Sequence, residues 1–244
     1  MPHFRFPFFY KKLFGLKIIR WIVRIFVWFI CLSFFWVLLY KWMNPPFTYL
    51  MFERKMSAIF SGKKSSEIHY EWVSLKNVSK NLPLAVIASE DQNFSSHWGF
   101  DMDAIKKAVK HNKRHKRKRG ASTISQQVAK NAFLWSGRSY LRKGLEVYFT
   151  VLIELLWSKK RIVEVYINIA EMGDRVFGAK CTAEHYFKTS PVKLNMYQCA
   201  LIASVLPNPR KYKINNPGNF ILKRQRWILR QMRQMGGVGY LKEL

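Results

Sequence analysis

The stretch from Ala85 to Asp101 reads AVIASEDQNFSSHWGFD, and within it an apolar run ends abruptly at two neighbouring carboxylates, Glu90 and Asp91. A carboxyl group at the edge of an apolar segment is poorly solvated on one side. Such a group holds its proton more tightly, which suits it to act as an acid or base near neutral pH. Glu90 is therefore a candidate general acid or base. On these two residues alone, a structural ion pair with a nearby cation is the favoured interpretation.

The composition allows one domain of ordinary size with an appendage, since the chain has 244 residues of which 49% are hydrophobic. The 42 Lys and Arg residues outnumber the 14 Asp and Glu residues and give a net charge of +28. This excess predicts attraction to polyanions such as nucleic acid, anionic lipid or pyrophosphate. Three cysteines do not form a disulfide framework, and free thiols at Cys181 and Cys199 are favoured over a bridge between them.

The N-terminal part of the chain predicts a membrane anchor. Residues 1–17 are basic and aromatic, and the segment from Ile25 to Tyr40 contains no charged residue. Extended back to Ile18, the apolar run reaches the roughly 20 residues that span a bilayer. No small-residue cleavage site closes the run, so an uncleaved transmembrane helix over 18–43 is predicted instead of a signal peptide. The positive-inside rule then places the N-terminus in the cytoplasm and the rest of the chain on the far side.

The remainder is predicted to comprise a juxtamembrane segment at 44–69 and a folded domain at 70–244. Residues 47–60 mix apolar side chains with Arg54 and Lys55, a pattern that suits an interfacial helix and a core element equally. The domain shows no repeat and no convincing strand, so a mainly α fold is predicted. Helices are expected at 101–110, 139–157, 159–170, 179–187, 194–206 and 220–235, with one more beginning at Ser122 or Thr123.

Two of these helices carry polar residues at regular spacing. Gln127, Lys130 and Asn131 fall at i, i+3 and i+4, so they project together from one side of their helix. In the helix over 139–157, Arg142 and Glu146 are an i, i+4 pair. A polar surface and a solvated bridge worth well under about 1 kcal/mol are the plain alternatives.

The 139–157 helix has a further pattern that predicts which side faces the core. Its inward stripe is expected at Leu141, Leu145, Tyr148, Leu152 and Leu156.

A run of cations follows the first predicted helix of the domain: Lys113, Arg114, Lys116, Arg117, Lys118 and Arg119. Such a block is usually a solvated loop or a nucleic-acid patch. Because the predicted anchor places it outside the cytoplasm, nucleic acid is not expected as a partner. An anionic lipid surface or a phosphorylated lipid is the favoured polyanion.

Four stretches together resemble the family 51 glycosyltransferases, the peptidoglycan transglycosylases of class A penicillin-binding proteins and of stand-alone membrane enzymes. They read EDQNFSSHWGFD (90–101), RGASTISQQVAKN (119–131), RKGLE (142–146) and SKKRIVEVYINIAEMGDRVFG (158–178). Their order and spacing agree with the family, and the resemblance covers roughly residues 70–237. No transpeptidase domain follows, so the likeness is closer to the monofunctional biosynthetic members.

The resemblance implies a lysozyme-like helical transglycosylase domain behind one transmembrane helix. It implies that lipid II is polymerised into β-1,4-linked glycan on the outer, periplasmic face of the cytoplasmic (inner) membrane, with release of undecaprenyl pyrophosphate, in cell wall biosynthesis. The expected partners are lipid II, the growing lipid-linked glycan strand and the membrane. Proteins of cell wall synthesis or division are further candidate partners.

The resemblance also implies roles for single residues. Glu90 matches the general base of the family, and Glu146 matches its second catalytic glutamate. The residues implied to bind substrate and pyrophosphate are Asp91, Ser122, Gln127, Lys130, Asn131, Arg142 and Tyr166. Glu146 would orient Arg142 or Lys130, or hold a divalent cation, Mg or Mn, at the pyrophosphate; no other cofactor is expected.

Two competing functions remain open at this stage. A lytic enzyme of the same architecture would cleave glycan with one glutamate as acid and would not need Lys130 and Arg142. A membrane-anchored binding protein would dock anionic lipid through its cations without chemistry. Products formed from a lipid-linked disaccharide precursor separate all three.

Overall fold

The computed structural model describes residues 8–62, 66–115, 118–137 and 139–244, with side chains from residue 17 onward. Residues 1–7 and two cations of the predicted basic block, Lys116 and Arg117, lie outside this part. The chain divides into two units, with the boundary between Trp42 and Met43.

The first unit contains one long helix, α1 (Phe8–Trp42). Its segment Lys17–Trp42 is long and apolar enough to cross a membrane, with a mean hydropathy of 2.5, and no other helix among the described residues meets both conditions. Large aromatic side chains such as Trp21, Phe26 and Trp28 are more than half exposed along it. The helix ends at Trp42, shortly before Asn44-Pro45-Pro46, because proline cannot continue a helical hydrogen-bond ladder.

The second unit is mainly helical, as predicted. Its helices are α2 (Tyr49–Phe60), α3 (Asn81–Glu90), α4 (Met102–Arg114), α5 (Ile124–Phe133), α6 (Tyr140–Leu156), α7 (Lys159–Ile169), α8 (Gly178–Phe187), α9 (Met196–Val205) and α10 (Asn219–Gln234). Short strands β1 (His69–Tyr70), β2 (Glu171–Gly173) and β3 (Val176–Phe177) form a sheet in the order β1-β3-β2. These strands were not predicted from the sequence, because two or three residues are too few to show an alternating pattern.

Helix α3 lies at the centre of this unit. Its residues Leu82 to Ala88 are all buried, and it packs against α9 and α10. A helix that is apolar on every side has no solvent face, so only its ends can present polar groups. Glu90 is the last residue of α3, and the fold thereby brings its carboxylate out of the core at one fixed point.

Helix α5 begins with a capping box that decides between the two predicted caps in favour of Thr123. The Thr123 hydroxyl accepts from the backbone N–H of Gln126, and the Gln126 side chain accepts from the backbone N–H of Thr123. Two N–H groups that the helix would leave unpaired are thereby satisfied. Packing against α6 and α7 then fixes which side of α5 faces the interior of the unit.

The predicted inward stripe of α6 is wrong by one position. Leu141 is 70% exposed, whereas the buried residues of this helix are Arg142, Glu146, Phe149, Thr150, Ile153 and Glu154. The other four predicted residues are half-buried, and the C-terminal neighbour of each predicted position is buried, including Trp157 just after the helix. The reason is that the buried side of α6 includes a charged pair, which a search for apolar periodicity excludes from the core.

Helix α2 belongs to the second unit and has two apolar sides. Met51 and Ala58 are buried, and the helix packs against α5. Phe52 and Phe60 are 51% and 82% exposed. Residues 47–60 therefore include a core element, and an exposed apolar surface runs along the same helix.

The cysteines are free, as predicted. Burial raises the pKa of the Cys199 thiol to about 12, so this group is unreactive at neutral pH.

Candidate active site

Two clefts meet at Glu90. The first has a volume of about 500 Å³ and the second about 610 Å³. Both are lined by Glu90, Ser122, Gln127 and Pro207. A group at this junction can contact molecules in both clefts at once, which is the arrangement that a two-substrate reaction requires.

The carboxylate of Glu90 is held by donors from two other helices. Its Oε2 accepts a hydrogen bond from Gln127 Nε2 on α5 at 3.1 Å. Its Oε1 lies 3.2 Å from Nη2 of Arg224 on α10 and 3.0 Å from the hydroxyl of Ser89. The side chain is 14% exposed, so the carboxylate is largely shielded from solvent while its ion pair with Arg224 provides a countercharge.

Tyr166 on α7 sets the orientation of the Gln127 amide. Its hydroxyl donates to Gln127 Oε1 at 3.0 Å, and the side chain is buried. Burial, with help from the negative charges of Glu90 and Asp91, raises the pKa of Tyr166 well above its usual value. The phenol therefore stays protonated and remains a donor. Since the Gln127 oxygen accepts this bond, the amide nitrogen points at Glu90.

The first cleft contains a cation cluster formed by Lys130, Arg142 and Lys143. Arg142 Nη1 donates to Glu146 Oε2 at 2.6 Å, and Lys143 Nζ donates to Glu146 Oε1 at 2.5 Å. Glu146 is 3% exposed and Arg142 9% exposed, so this pair is not the solvated bridge that spacing alone allowed. Because the pair is buried, solvent and salt screen its attraction far less than they screen a surface bridge. The pair therefore holds the guanidinium in one place.

Lys130 is the member of the cluster without a countercharge of its own. Among the described residues, its ammonium group makes no hydrogen bond and no ion pair within 4 Å. Burial and the neighbouring Arg142 guanidinium hold the pKa of Lys130 below its usual value. A half-buried cation without a partner, beside a second cation, favours binding of an anion with several oxygens.

Asp91 contacts the N-terminus of α5 and the side chain of His97. Its Oδ2 accepts from the backbone N–H of Ile124 at 2.9 Å, and its Oδ1 is 2.8 Å from His97 Nε2. A carboxylate at the first turn of α5 also interacts favourably with the helix dipole. Both oxygens are used within the protein, so the geometry favours a role in holding α5, which carries Gln127 and Lys130, over direct contact with an anionic substrate.

The structure brings the predicted site residues to the two clefts. The first cleft is lined by Glu90, Ser122, Gln127, Lys130, Asn131, Arg142, Glu146 and Tyr166. Asp91 lines only the second cleft.

Several charged residues at the site were not predicted from the sequence, including Lys143 of the cation cluster. Arg54 on α2 pairs with Glu171 on β2 at 2.9 Å, and both line the first cleft. Arg224 lines the second cleft. Glu171 lies within the fourth matching stretch, which was a usable signal. The two arginines come from segments in which nothing distinguishes them from the many other cations of the chain.

The charged groups of the first cleft do not fit a metal ion held by the protein. Among the described residues, no group of three or more His, Cys, Asp or Glu side chains is arranged to hold one. Both oxygens of Glu146 already accept from cations, and Lys130 would repel a divalent ion nearby.

Comparison with known proteins finds a matching family model and several similar proteins. A family model described as Transglycosylase matches residues 56–233. The chain is 52% identical over 228 residues to a biosynthetic peptidoglycan transglycosylase of Pseudomonas syringae pv. syringae, covering 93% of this chain and 96% of the relative. Proteins of the same name from Cronobacter sakazakii and Salmonella agona are 52% and 51% identical, covering 85% and 86% of this chain and 86% and 88% of theirs.

Proposed function

Because the chain belongs to the Transglycosylase family, we propose that it polymerises lipid II into β-1,4-linked glycan strands and releases undecaprenyl pyrophosphate. Membership makes the chain a glycosyltransferase of peptidoglycan synthesis, and the substrate and the leaving group are the proposed part. The observation that carries the proposal is a glutamate at the junction of two clefts, one of which contains an unpaired cation beside a buried Arg–Glu pair.

The growing strand is the donor and occupies the first cleft in this proposal. Its pyrophosphate binds at the cation cluster, where Lys130 and Arg142 neutralise charge that builds up on the departing oxygen. A pyrophosphate is already a good leaving group, so it needs positive charge and hydrogen-bond donors more than a general acid. Glu146 holds Arg142 in position for this task.

The incoming lipid II is the acceptor and approaches through the second cleft. Its 4-hydroxyl attacks the anomeric carbon of the donor, and Glu90 accepts the hydroxyl proton as the new bond forms. The bond to pyrophosphate breaks on the opposite side, so the configuration inverts from α to β. General-base assistance of this kind contributes about 10²–10⁴-fold to a rate.

The test is incubation of the purified full-length protein in detergent with labelled lipid II. Glycan polymer that lysozyme digests, together with undecaprenyl pyrophosphate in proportion to the bonds formed, is the expected result. Shortening of added glycan with no polymer would instead identify a lytic enzyme, and retention of lipid II without product would identify a binding protein. The cation cluster favours the first outcome, because glycan cleavage releases no pyrophosphate.

We expect Tyr166→Phe to lower kcat about five- to tenfold with little change in KM. The variant keeps the ring that fills the core but loses the donor that orients the Gln127 amide, and one hydrogen bond is worth about 1 kcal/mol, which corresponds to this change in rate. Steady-state polymerisation rates measure it. Tyr197→Phe removes a hydroxyl from an exposed tyrosine and is the matched control. Equal rates for both variants would show that Gln127 does not depend on Tyr166.

The helix α1 suggests a single-pass membrane anchor, and we place the second unit on the periplasmic side of the inner membrane, where lipid-linked precursors are presented for polymerisation. The N-terminus is then cytoplasmic, in agreement with the basic residues before the apolar segment.

Reporter fusions measure this orientation. We expect alkaline phosphatase to be active when fused after Leu244. It should be inactive when inserted after residue 16 of the otherwise intact chain, because this enzyme folds only after export. A fluorescent protein that folds only in the cytoplasm is expected to give the opposite pattern at the two positions. Phosphatase activity at the N-terminal fusion alone would reverse the orientation.

A further inference from the structure

Arg224 contacts the proposed general base from a distant part of the chain. It lies on α10, 134 residues after Glu90, and α10 packs against α3. Its Nη2 is 2.8 Å from the Ser89 hydroxyl oxygen and 3.2 Å from Glu90 Oε1. The side chain is 25% exposed and lies at the wall of the second cleft.

The hydrogen bonding around Glu90 makes Arg224 the dependable donor to Oε1. The Ser89 hydroxyl has one hydrogen, and two acceptors lie within its reach: Glu90 Oε1 at 3.0 Å and the backbone oxygen of Ala203 at 3.2 Å. When that hydrogen points to Ala203, Ser89 donates nothing to Glu90. A guanidinium group has no alternative protonation state and always donates.

The two oxygens of Glu90 are thus held from opposite sides, Oε2 by Gln127 and Oε1 by Arg224. Two fixed donors stop the carboxylate from rotating about its last torsion angle.

Other charged groups near Glu90 do not contact its carboxylate. The second cleft also contains Asp91, Asp101, Lys107 and Arg119, and Tyr166 reaches Glu90 only through Gln127. Among the described residues, Arg224 is the cation within 4 Å of Glu90.

Within the described chain, one donor group of Arg224 is left without a hydrogen bond in this arrangement. Its Nε–H is buried and has no hydrogen-bond partner among the described residues. A buried donor without a partner disfavours the fold, so an arginine serving only the packing of α10 gains nothing from this arrangement.

We infer that Arg224 is a positioning residue for catalysis, which fixes Glu90 in the orientation needed to accept the proton of the attacking hydroxyl. Arg224 takes no proton itself: the proton moves from the acceptor hydroxyl to Glu90, and the electron pair of that oxygen forms the new glycosidic bond. This role rests on the proposed function of Glu90 as base.

The test compares Arg224→Gln and Arg224→Lys with Arg226→Gln, a matched control that removes an exposed cation from the same helix. We expect Arg224→Gln to lower kcat about ten- to hundredfold with KM for lipid II nearly unchanged. Arg224→Lys should restore part of kcat, because it keeps a positively charged donor on α10, and Arg226→Gln should behave like the parent.

Other results would overturn the inference. A higher KM with unchanged kcat would show that Arg224 binds substrate. A loss of folded protein, seen by circular dichroism, with normal kcat per folded molecule would show that Arg224 only stabilises α10. Normal activity of Arg224→Gln would show that Glu90 needs no such partner.

A double variant separates this inference from the proposed function. In a Glu90→Gln background, Arg224→Gln should cause no further loss of rate, because the two residues act as one unit. If the parent enzyme polymerises lipid II and the two losses multiply, the positioning role fails while the function stands. If the parent forms no polymer, the proposed function fails first.

Discussion

Glu90→Gln is expected to lower the rate of glycan polymerisation by about 10²–10⁴-fold, the range that loss of a general base costs. Glutamine has the same shape and can still bond to Gln127 and to the Ser89 hydroxyl, but it cannot accept the proton of the attacking hydroxyl. Because Glu90 lies at the end of α3 and not inside its apolar run, we expect the fold to be retained.

The measurement is the initial rate with labelled lipid II, accompanied by circular dichroism and thermal unfolding of the same sample. Glu184→Gln is the matched control, since Glu184 is an exposed carboxylate that lines neither cleft. We expect it to retain the parent's rate. A Glu90→Gln enzyme with more than about a tenth of the parent's rate would remove Glu90 from the role of base, because general-base losses are larger.

The parts of this site that the sequence could predict are those set by local rules. An apolar run ending in Glu90 predicted a carboxylate at the edge of the core, and α3 is buried on every side up to that point. The spacing of Gln127 and Lys130 placed both on one side of α5, and both line the first cleft. These features depend on helix geometry, which a single segment determines.

The parts that could not be predicted depend on contacts between distant segments. The spacing of Arg142 and Glu146 was compatible with a surface bridge, and their burial follows only from packing of α5 against α6. Arg224 is one of 42 Lys and Arg residues, and no pattern within α10 distinguishes it from Arg226 or Arg230. The ion pair with Glu90 exists because α10 packs on α3, which is a property of the fold.

The cation cluster leads to the second large effect: Lys130→Met should lower kcat/KM by about 10²–10³-fold, the cost of losing one donor to a developing anion. Methionine fills similar space without charge. Arg142 remains held by Glu146, so some affinity for pyrophosphate should persist. Lys193→Met, which removes an exposed lysine outside both clefts, is the matched control.

The same substitution should raise the thermal stability of the protein. Burial lowers the pKa of Lys130 relative to the unfolded chain, and the repulsion from Arg142 adds to this effect. The unfolded state therefore binds the proton more tightly, and the charged side chain destabilises the fold at neutral pH. This cost is fully present below the folded pKa and declines as the pH rises toward the value of 10.5 for an unperturbed lysine. We expect Tm of Lys130→Met to exceed that of the parent at pH 7 and the difference to shrink at alkaline pH.

Added inorganic pyrophosphate tests the lower activity and the higher stability of Lys130→Met together. In the parent enzyme an anion at the cluster supplies the countercharge that Lys130 lacks, so added pyrophosphate should raise Tm in proportion to the logarithm of its concentration above Kd. Lys130→Met should start from a higher Tm and respond less. A variant that is both less active and less stable would show that Lys130 already has a stabilising role in the free enzyme, and an unchanged response to pyrophosphate would place the binding site elsewhere. We therefore expect Lys130 to lower the stability of the free enzyme and to raise its affinity for the leaving group, because the same positive charge causes both effects.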